Sequence, residues 1–335
     1  MSEMNRREFG WTTFGGVAAL ALSGRERVVP QSSQAERAYR YIHLDVFTDR
    51  RLQGNQLFVF VQPAGLDTDS MQTLTRESNL SECTFVFPAE QAGTDHRVRI
   101  FTRTAETPFA GHPTIGTAFA LAHTGALEPG LSHTTFGLGV GPTNIDLEWK
   151  GGRLAFAWMT QQKPTFGKTL TDSAALAAAI GVDAGAIVPR APAQEVYSGS
   201  TFFIVPLATR KAVDTAVLDR VKIDAVFNAA GIQRRGLYIF STERGADDAD
   251  AYSRLLGTGG IEDPATGSAV GPAGCFAAKY GFVPPDRAGA IVFLQGVLVR
   301  RPSRLHVKVA IAGAEVTGVK VGGASVVVGE GAMAV

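Results

Sequence analysis

A seven-residue pattern occurs twice in this chain, 156 residues apart, as Glu106-Thr107-Pro108-Phe109-Ala110-Gly111-His112 and Glu262-Asp263-Pro264-Ala265-Thr266-Gly267-Ser268. Each copy leads into a run of small residues with helical character that closes on a glycine, Gly125 or Gly281, thirteen residues beyond His112 or Ser268. Glu, Pro, Gly, Ala122/Ala278 and the closing Gly hold one register over twenty positions. In register, these identities indicate a duplicated domain with two equivalent helix N-termini. The copies differ beside the loop glycine, with His112 in one and Ser268, preceded by Asp263, in the other. One pseudosymmetric site between two halves is the expectation.

The length of 335 residues accommodates one large or two medium domains, and the duplication decides for two. With 32 basic and 31 acidic residues interspersed along it, the chain is almost neutral. No basic stripe points to nucleic acid, and no apolar run reaches the roughly 18 residues of a bilayer span. A small molecule is the expected partner. The two cysteines, Cys83 and Cys275, sit in apolar sequence and read as buried free thiols rather than a disulfide framework. No Cys/His cluster has metal-ligand spacing.

The N-terminus has a different character. Arg6-Arg7-Glu8-Phe9 precedes a weakly apolar stretch from Trp11 to Leu22, with Ala19-Leu20-Ala21 as a small-x-small cleavage site and Arg25 and Arg27 beyond it. This reads as a twin-arginine export signal, giving a periplasmic or otherwise exported protein; a cytoplasmic one follows if the leader does not function. Residues 1–37 are therefore set apart as signal and linker, 38–161 as the N-terminal domain and 162–319 as the C-terminal domain, with 320–335 returning to the first.

Strands are expected at Tyr39 to Phe47, Gln56 to Gln62, Cys83 to Phe87 and His96 to Thr102, with a helix from about Asp67 to Ser78. The first repeat loop then opens a helix from about Pro113 to Thr124, where proline in the first turn loses no helical hydrogen bond. Further strands are expected at Asn144 to Trp149 and Arg153 to Met159, before a turn-rich linker from Gln161 to Gly167. The second half reads as helix Ser173 to Ile180, strand Thr201 to Pro206, helix Ala212 to Phe227 and strand Gly236 to Ser241. Glu243 to Asp250 and Gly257 to Gly260 read as loops near the second motif. Strands Ala290 to Val299, Arg304 to Ile311 and Glu315 to Val319 follow. The class is α+β.

Gly111 and Gly267, each directly ahead of a helix, let backbone approach a ligand closely, and free N–H groups at a helix start favour an anion such as a carboxylate. Two tight helix starts that share a shape only through duplication are the alternative reading. At the helix N-terminus the dipole disfavours a charged His112, so a neutral imidazole is expected there. Glu82, in Asn79-Leu80-Ser81-Glu82 beside the apolar strand, is a candidate for a raised pKa and hence for a general base, although an isolated glutamate there also fits an exposed loop. Asp263 and Ser268 also suit turn and cap roles. A Ser268-His112-Asp263 hydrolase triad lacks the Gly-x-Ser-x-Gly elbow, and neither loop is a nucleotide-binding fingerprint.

Four ordered motifs, Asp45-Val46-Phe47-Thr48 with Gly54-Asn55, Asn79-Leu80-Ser81-Glu82, Pro108-Phe109-Ala110-Gly111-His112-Pro113 and Asp263-Pro264-Ala265-Thr266-Gly267-Ser268-Ala269, resemble the PhzF family of phenazine-biosynthesis-type isomerases. The resemblance covers about residue 39 to the end. It implies a diaminopimelate epimerase-like fold: two pseudosymmetric α+β domains, each a curled sheet around a central helix, with the site in the cleft. It also implies a homodimer, no cofactor, Glu82 as catalytic acid/base, and His112, Asp263 and Ser268 as substrate-holding residues beside the anion-binding glycines Gly111 and Gly267. The implied reaction moves a proton between carbons of a small carboxylated, amino-bearing or cyclic substrate. Amino-acid racemisation and non-catalytic periplasmic binding are the alternatives. The sequence departs from the family at Cys83, often Thr, at Gln56, usually Pro, and at Arg103, commonly Pro. The cysteine-pair epimerases of this fold carry a thiol before each loop glycine, where this chain has Ala110 and Thr266, which argues against a two-thiol racemase.

Overall fold

The computed structural model describes residues 37–257 and 262–335. The export-signal reading of residues 1–36, and the expected glycine-rich loop beyond Gly257, fall outside the described residues. The first half runs β1 (Ala38–Val46), β2 (Asn55–Phe60), α1 (Thr68–Ser78), β3 (Glu82–Pro88), β4 (His96–Thr102), β5 (Glu106–Thr107), α2 (Gly111–His123), β6 (His133–Leu138), β7 (Gly141–Lys150) and β8 (Arg153–Thr160). The second runs β9 (Thr165–Leu170), α3 (Ser173–Ile180), β10 (Ala193–Tyr197), β11 (Thr201–Pro206), α4 (Arg210–Thr215), α5 (Arg220–Ala229), β12 (Leu237–Ser241), β13 (Ala251–Leu256), α6 (Gly267–Lys279), β14 (Ile291–Gln295), β15 (Ser303–Ala312) and β16 (Glu315–Gly323). A last strand, β17 (Ser325–Ala334), lies antiparallel on β1.

The pairing pattern is the same in both halves. From β17 through β1, β2, β3, β4, β6 and β7 to β8 the neighbours are antiparallel except β2–β3 and β4–β6. From β9 through β10, β11, β12, β13, β14 and β15 to β16 they are antiparallel except β11–β12 and β13–β14, which occupy the corresponding places. The β8–β16 pairing joins the two into one sheet. The architecture is α+β, with α2 and α6 as the central helices of the curled halves.

Both helices are buried over almost their whole length, Gly111 to Leu121 in α2 and most of Gly267 to Ala277 in α6. This explains their composition, because a helix surrounded by sheet has no polar face and needs small residues for close approach. They also end alike. Ala126 N–H bonds Leu121 C=O and Gly125 N–H bonds Ala122 C=O, while Phe282 bonds Ala277 and Gly281 bonds Ala278 in the same pattern. These are two Schellman ends, with Gly125 at φ 77° and Gly281 at φ 66° in the left-handed conformation.

Sequence and structure differ in places. The helix expected over Ala212 to Phe227 is two helices, because Val217 and Asp219 donate their N–H groups to Ile180 and Ala179 at the end of α3, and the Asp219 side chain then caps α5. The expected linker Gln161 to Gly167 already contains the start of β9. Cys83 and Cys275 are buried and free.

The two central helices start against one another. A Cβ added to Gly111 would sit 2.3 Å from the Gly267 carbonyl carbon and 2.4 Å from the Ser268 nitrogen. Backbone cannot yield as a side chain can, so Gly111→Ala is expected to destabilise the fold by roughly 1–3 kcal/mol or more. Gly289→Ala, whose new methyl meets nothing within 4 Å, should melt close to wild type. Equal thermal midpoints for the two variants would refute the contact.

Candidate active site

The helix starts open onto a cavity of about 530 Å³, lined by Glu82, Gly111, His112, Asp263, Gly267 and Ser268 among others. The structure thus brings all six sequence-derived residues to one cleft. Glu82 opens β3, next to the αL-capped end of α1 at Asn79. His112 is the second residue of α2. Asp263 belongs to the loop before α6, and Ser268 is the second residue of that helix. The N-caps of α2 and α6, Ala110 and Thr266, make no side-chain capping bond.

Both loops are pinned by the same device. Arg99 on β4 grips Glu106 through Nε to Oε1 at 2.8 Å and Nη2 to Oε2 at 2.6 Å. Arg254 on β13 grips Glu262 through Nε to Oε1 at 3.0 Å and Nη2 to Oε2 at 2.7 Å. The first glutamate of each repeat is therefore the carboxylate of a two-pronged ion pair that fixes its loop on the preceding strand.

Asn55, which the sequence shows only as half of a Gly-Asn turn, ties the halves together. Its Nδ2 donates to Asp263 Oδ1 at 2.6 Å and to the Ala265 carbonyl at 2.8 Å, and lies 3.1 Å from His112 Nδ1. Arg301 holds that turn from the other half, donating from Nε to the Gly54 carbonyl at 2.7 Å and from Nη2 to the Gln53 carbonyl at 2.8 Å while paired with buried Asp45. Gln295 donates to the Asp263 carbonyl and to Thr266 Oγ1, and accepts from the Thr266 N–H. Thr266 Oγ1 in turn donates to Asp263 Oδ2 at 2.7 Å. Asp263 is thereby oriented by hydrogen bonds to both its oxygens.

His112 Nδ1 lies 3.4 Å from Glu82 Oε2. Burial pushes the Glu82 carboxyl up to about 8, with the Asp263 charge adding to the rise. Asp263 is raised to about 6, again by burial, against the pull of its Thr266 and Asn55 hydrogen bonds. His112 falls to about 3 because burial disfavours its cation, which a backbone contact with Gln56 only partly offsets. At neutral pH the cleft of the free protein therefore presents a carboxylic acid at Glu82, a neutral imidazole and a carboxylate at Asp263. Two carboxyl groups pushed apart in acidity by their surroundings are the arrangement that assigns acid and base roles. Among the described residues no group of three His, Cys, Asp or Glu side chains is placed to hold a metal ion, and no helix is long and apolar enough to cross a membrane.

A two-halved, epimerase-like fold with a carboxyl-bearing cleft defines the class, and comparison with known proteins gives the family. Residues 44–331 match the family profile of PhzC-PhzF, phenazine biosynthesis-like proteins. The trans-2,3-dihydro-3-hydroxyanthranilate isomerase of Pseudomonas aeruginosa is 34% identical over 299 residues, covering 88% of this chain and 98% of the relative. A PhzF-family crystal structure from Bacillus anthracis superposes with a TM-score of 0.78 at 24% identity, over 89% of this chain and all of the other. A hydroxyproline epimerase from Agrobacterium vitis shares the fold, with a TM-score of 0.61 at 12% identity over 89% of this chain and 91% of that one. The chain belongs to the PhzC-PhzF family of isomerases.

A carboxyl group with its pKa raised by folding stabilises the folded state fully below its unfolded value near 4.5, and that contribution is lost as pH rises through about 8. Glu82→Gln removes the ionisation. Its thermal midpoint should therefore gain on wild type by a few degrees between pH 5 and pH 9. A constant difference across that range would contradict the raised pKa of Glu82.

Proposed function

We propose that this protein is a cofactor-independent isomerase that moves a proton between two carbons of a small carboxylated substrate, amino-bearing or cyclic, with Glu82 as the acid/base. The observation that carries the reading is Glu82 itself. It is a single carboxyl group raised to about 8, 3.4 Å from a neutral histidine, in a cleft where two helix starts converge. As carboxylate, Glu82 takes a proton from a C–H bond activated by neighbouring unsaturation. The electron pair passes into the delocalised system, and the new carboxylic acid returns the proton at its far end. The N–H groups at Gly111, Gly267 and Ser268 hold the substrate carboxylate, and Asp263 accepts from an amino group. Binding at both places aims the C–H bond at Glu82.

The 34% identity to an isomerase that the name assigns to trans-2,3-dihydro-3-hydroxyanthranilate supports this reaction class and makes that compound the first to try. The Arg6-Arg7 leader supports export, which fractionation of wild type and an Arg6→Lys, Arg7→Lys variant tests. The family resemblance supports a homodimer, which light scattering tests.

Proton NMR in D₂O should show solvent deuterium entering a carbon position of the dihydro-hydroxyanthranilate or of a small cyclic amino acid with wild type. Glu82→Gln should slow that exchange by about 1,000-fold or more while binding survives. Tight binding with no exchange by wild type would identify a binding protein instead. Since the base form is needed, kcat/KM should rise with pH and level off above about 8. A profile flat from pH 6 to 9 would exclude Glu82 as the base.

A further inference from the structure

Arg103 also lines the cleft, and its charge has no evident internal use. It follows β4 directly, in a turn closed by Thr102, whose backbone N–H bonds the Ala105 carbonyl and whose hydroxyl accepts from the Thr104 and Ala105 N–H groups. That turn fixes where the side chain starts. Thr102 is the strand partner of Glu82. The contacts therefore run in order along the cleft, from the paired helix starts through His112, Glu82 and Thr102 to Arg103.

The neighbouring arginines are all occupied. Arg97 pairs with Glu90, Arg99 with Glu106, Arg254 with Glu262 and Arg301 with Asp45. Among the described residues no carboxylate lies within ion-pair distance of Arg103, and its one side-chain hydrogen bond is a long one, 3.5 Å to Asn79 Oδ1. No hydrogen bond or ion pair joins it to Glu82 among the described residues. A half-buried guanidinium left unpaired beside the cleft is available to an incoming anion, and its planar fork suits a second carboxylate.

We propose that Arg103 is a specificity-determining residue that binds a second anionic group of the substrate, so that the preferred substrates are dicarboxylates with one carboxylate at the helix starts, the reacting carbon over Glu82 and the other carboxylate at Arg103. This rests on the reading of the helix starts as a carboxylate site and names the substrate class of that same cleft.

Calorimetric titration of the full chain with anthranilate and with 2-aminoterephthalate, which adds one carboxylate across the ring, tests it. Wild type should bind the dicarboxylate about tenfold more tightly, as expected for one charge-assisted hydrogen-bonded pair. Arg103→Met should lose that preference while keeping its affinity for anthranilate, and Arg103→Lys should retain part of it. Equal affinities in wild type, or a preference that persists in Arg103→Met, would overturn the Arg103 assignment and leave the isomerase reading standing. Binding of neither compound would overturn the carboxylate site and this inference together, whereas proton exchange in D₂O would still report on Glu82 separately.

Discussion

The site depends on backbone touching backbone where α2 and α6 begin. Gly111 and Gly267 meet so closely that neither position has room for a methyl group, and Phe47 closes over Gly267 with ring carbons 2.8–3.0 Å from where its Cβ would be. Helix dipoles meeting end to end at their positive poles repel each other. The arrangement persists because each helix is enclosed by its own half of the sheet, through the apolar burial of residues such as Ile115, Ala118, Val270 and Phe276. The electrostatic cost of two converging helix starts is thus met by hydrophobic packing some distance away. What remains at the contact is a cluster of N–H groups that side-chain caps do not satisfy and that an anion would.

Duplication supplied two equal loops, and the chemistry came from making them unequal. Both keep a glutamate gripped by a strand arginine, Glu106 by Arg99 and Glu262 by Arg254, so the loops share their anchorage. They diverge at the solvent-poor centre, where His112 faces Glu82 on one side and Asp263 is held by Asn55 and Thr266 on the other. The hydrogen bonds to Asp263 favour its charged form and keep it more acidic than Glu82, which has no comparable donors. Geometry similar enough to converge and hydrogen bonding different enough to separate two carboxyl groups are both required.

The repeat made the central helices, their glycine starts and their Schellman ends legible, because each depends on residues close together in sequence. Glu82, His112, Asp263 and Ser268 were legible through ordered motifs, and they reach the same cavity. The supports of the site were not. Asn55 meets Asp263 across 208 residues, and Arg301 meets Gly54 across 247, distances over which no local pattern carries information. Three of the strands that local pattern did not indicate, β6, β10 and β13, share a feature: each buries a polar residue, Thr134, Gln194 or Ser253, where an alternating pattern calls for an apolar one. Those residues are satisfied inside the fold, Thr134 by Asp95, Gln194 by the Gly167 carbonyl and Ser253 by Tyr238. The break between α4 and α5 escaped for a similar reason. The end of α3 captures backbone donors that would otherwise have continued the helix.

The cross-half bonds also constrain how the cleft can change shape. Asn55 and Arg301 run between the halves at the floor of the cleft, and Gln161, at the end of β8, donates to the Gly267 carbonyl at 2.9 Å. Together with the β8–β16 pairing they fix the two helix starts relative to one another, so closure about a substrate cannot separate Gly111 from Gly267 without breaking buried hydrogen bonds. The opposite wall carries Glu82 and Arg103, held side by side by the β3–β4 ladder and the turn at Thr102. Under the proposed function, the floor sets the position of the substrate carboxylate and the wall bears on the choice among substrates.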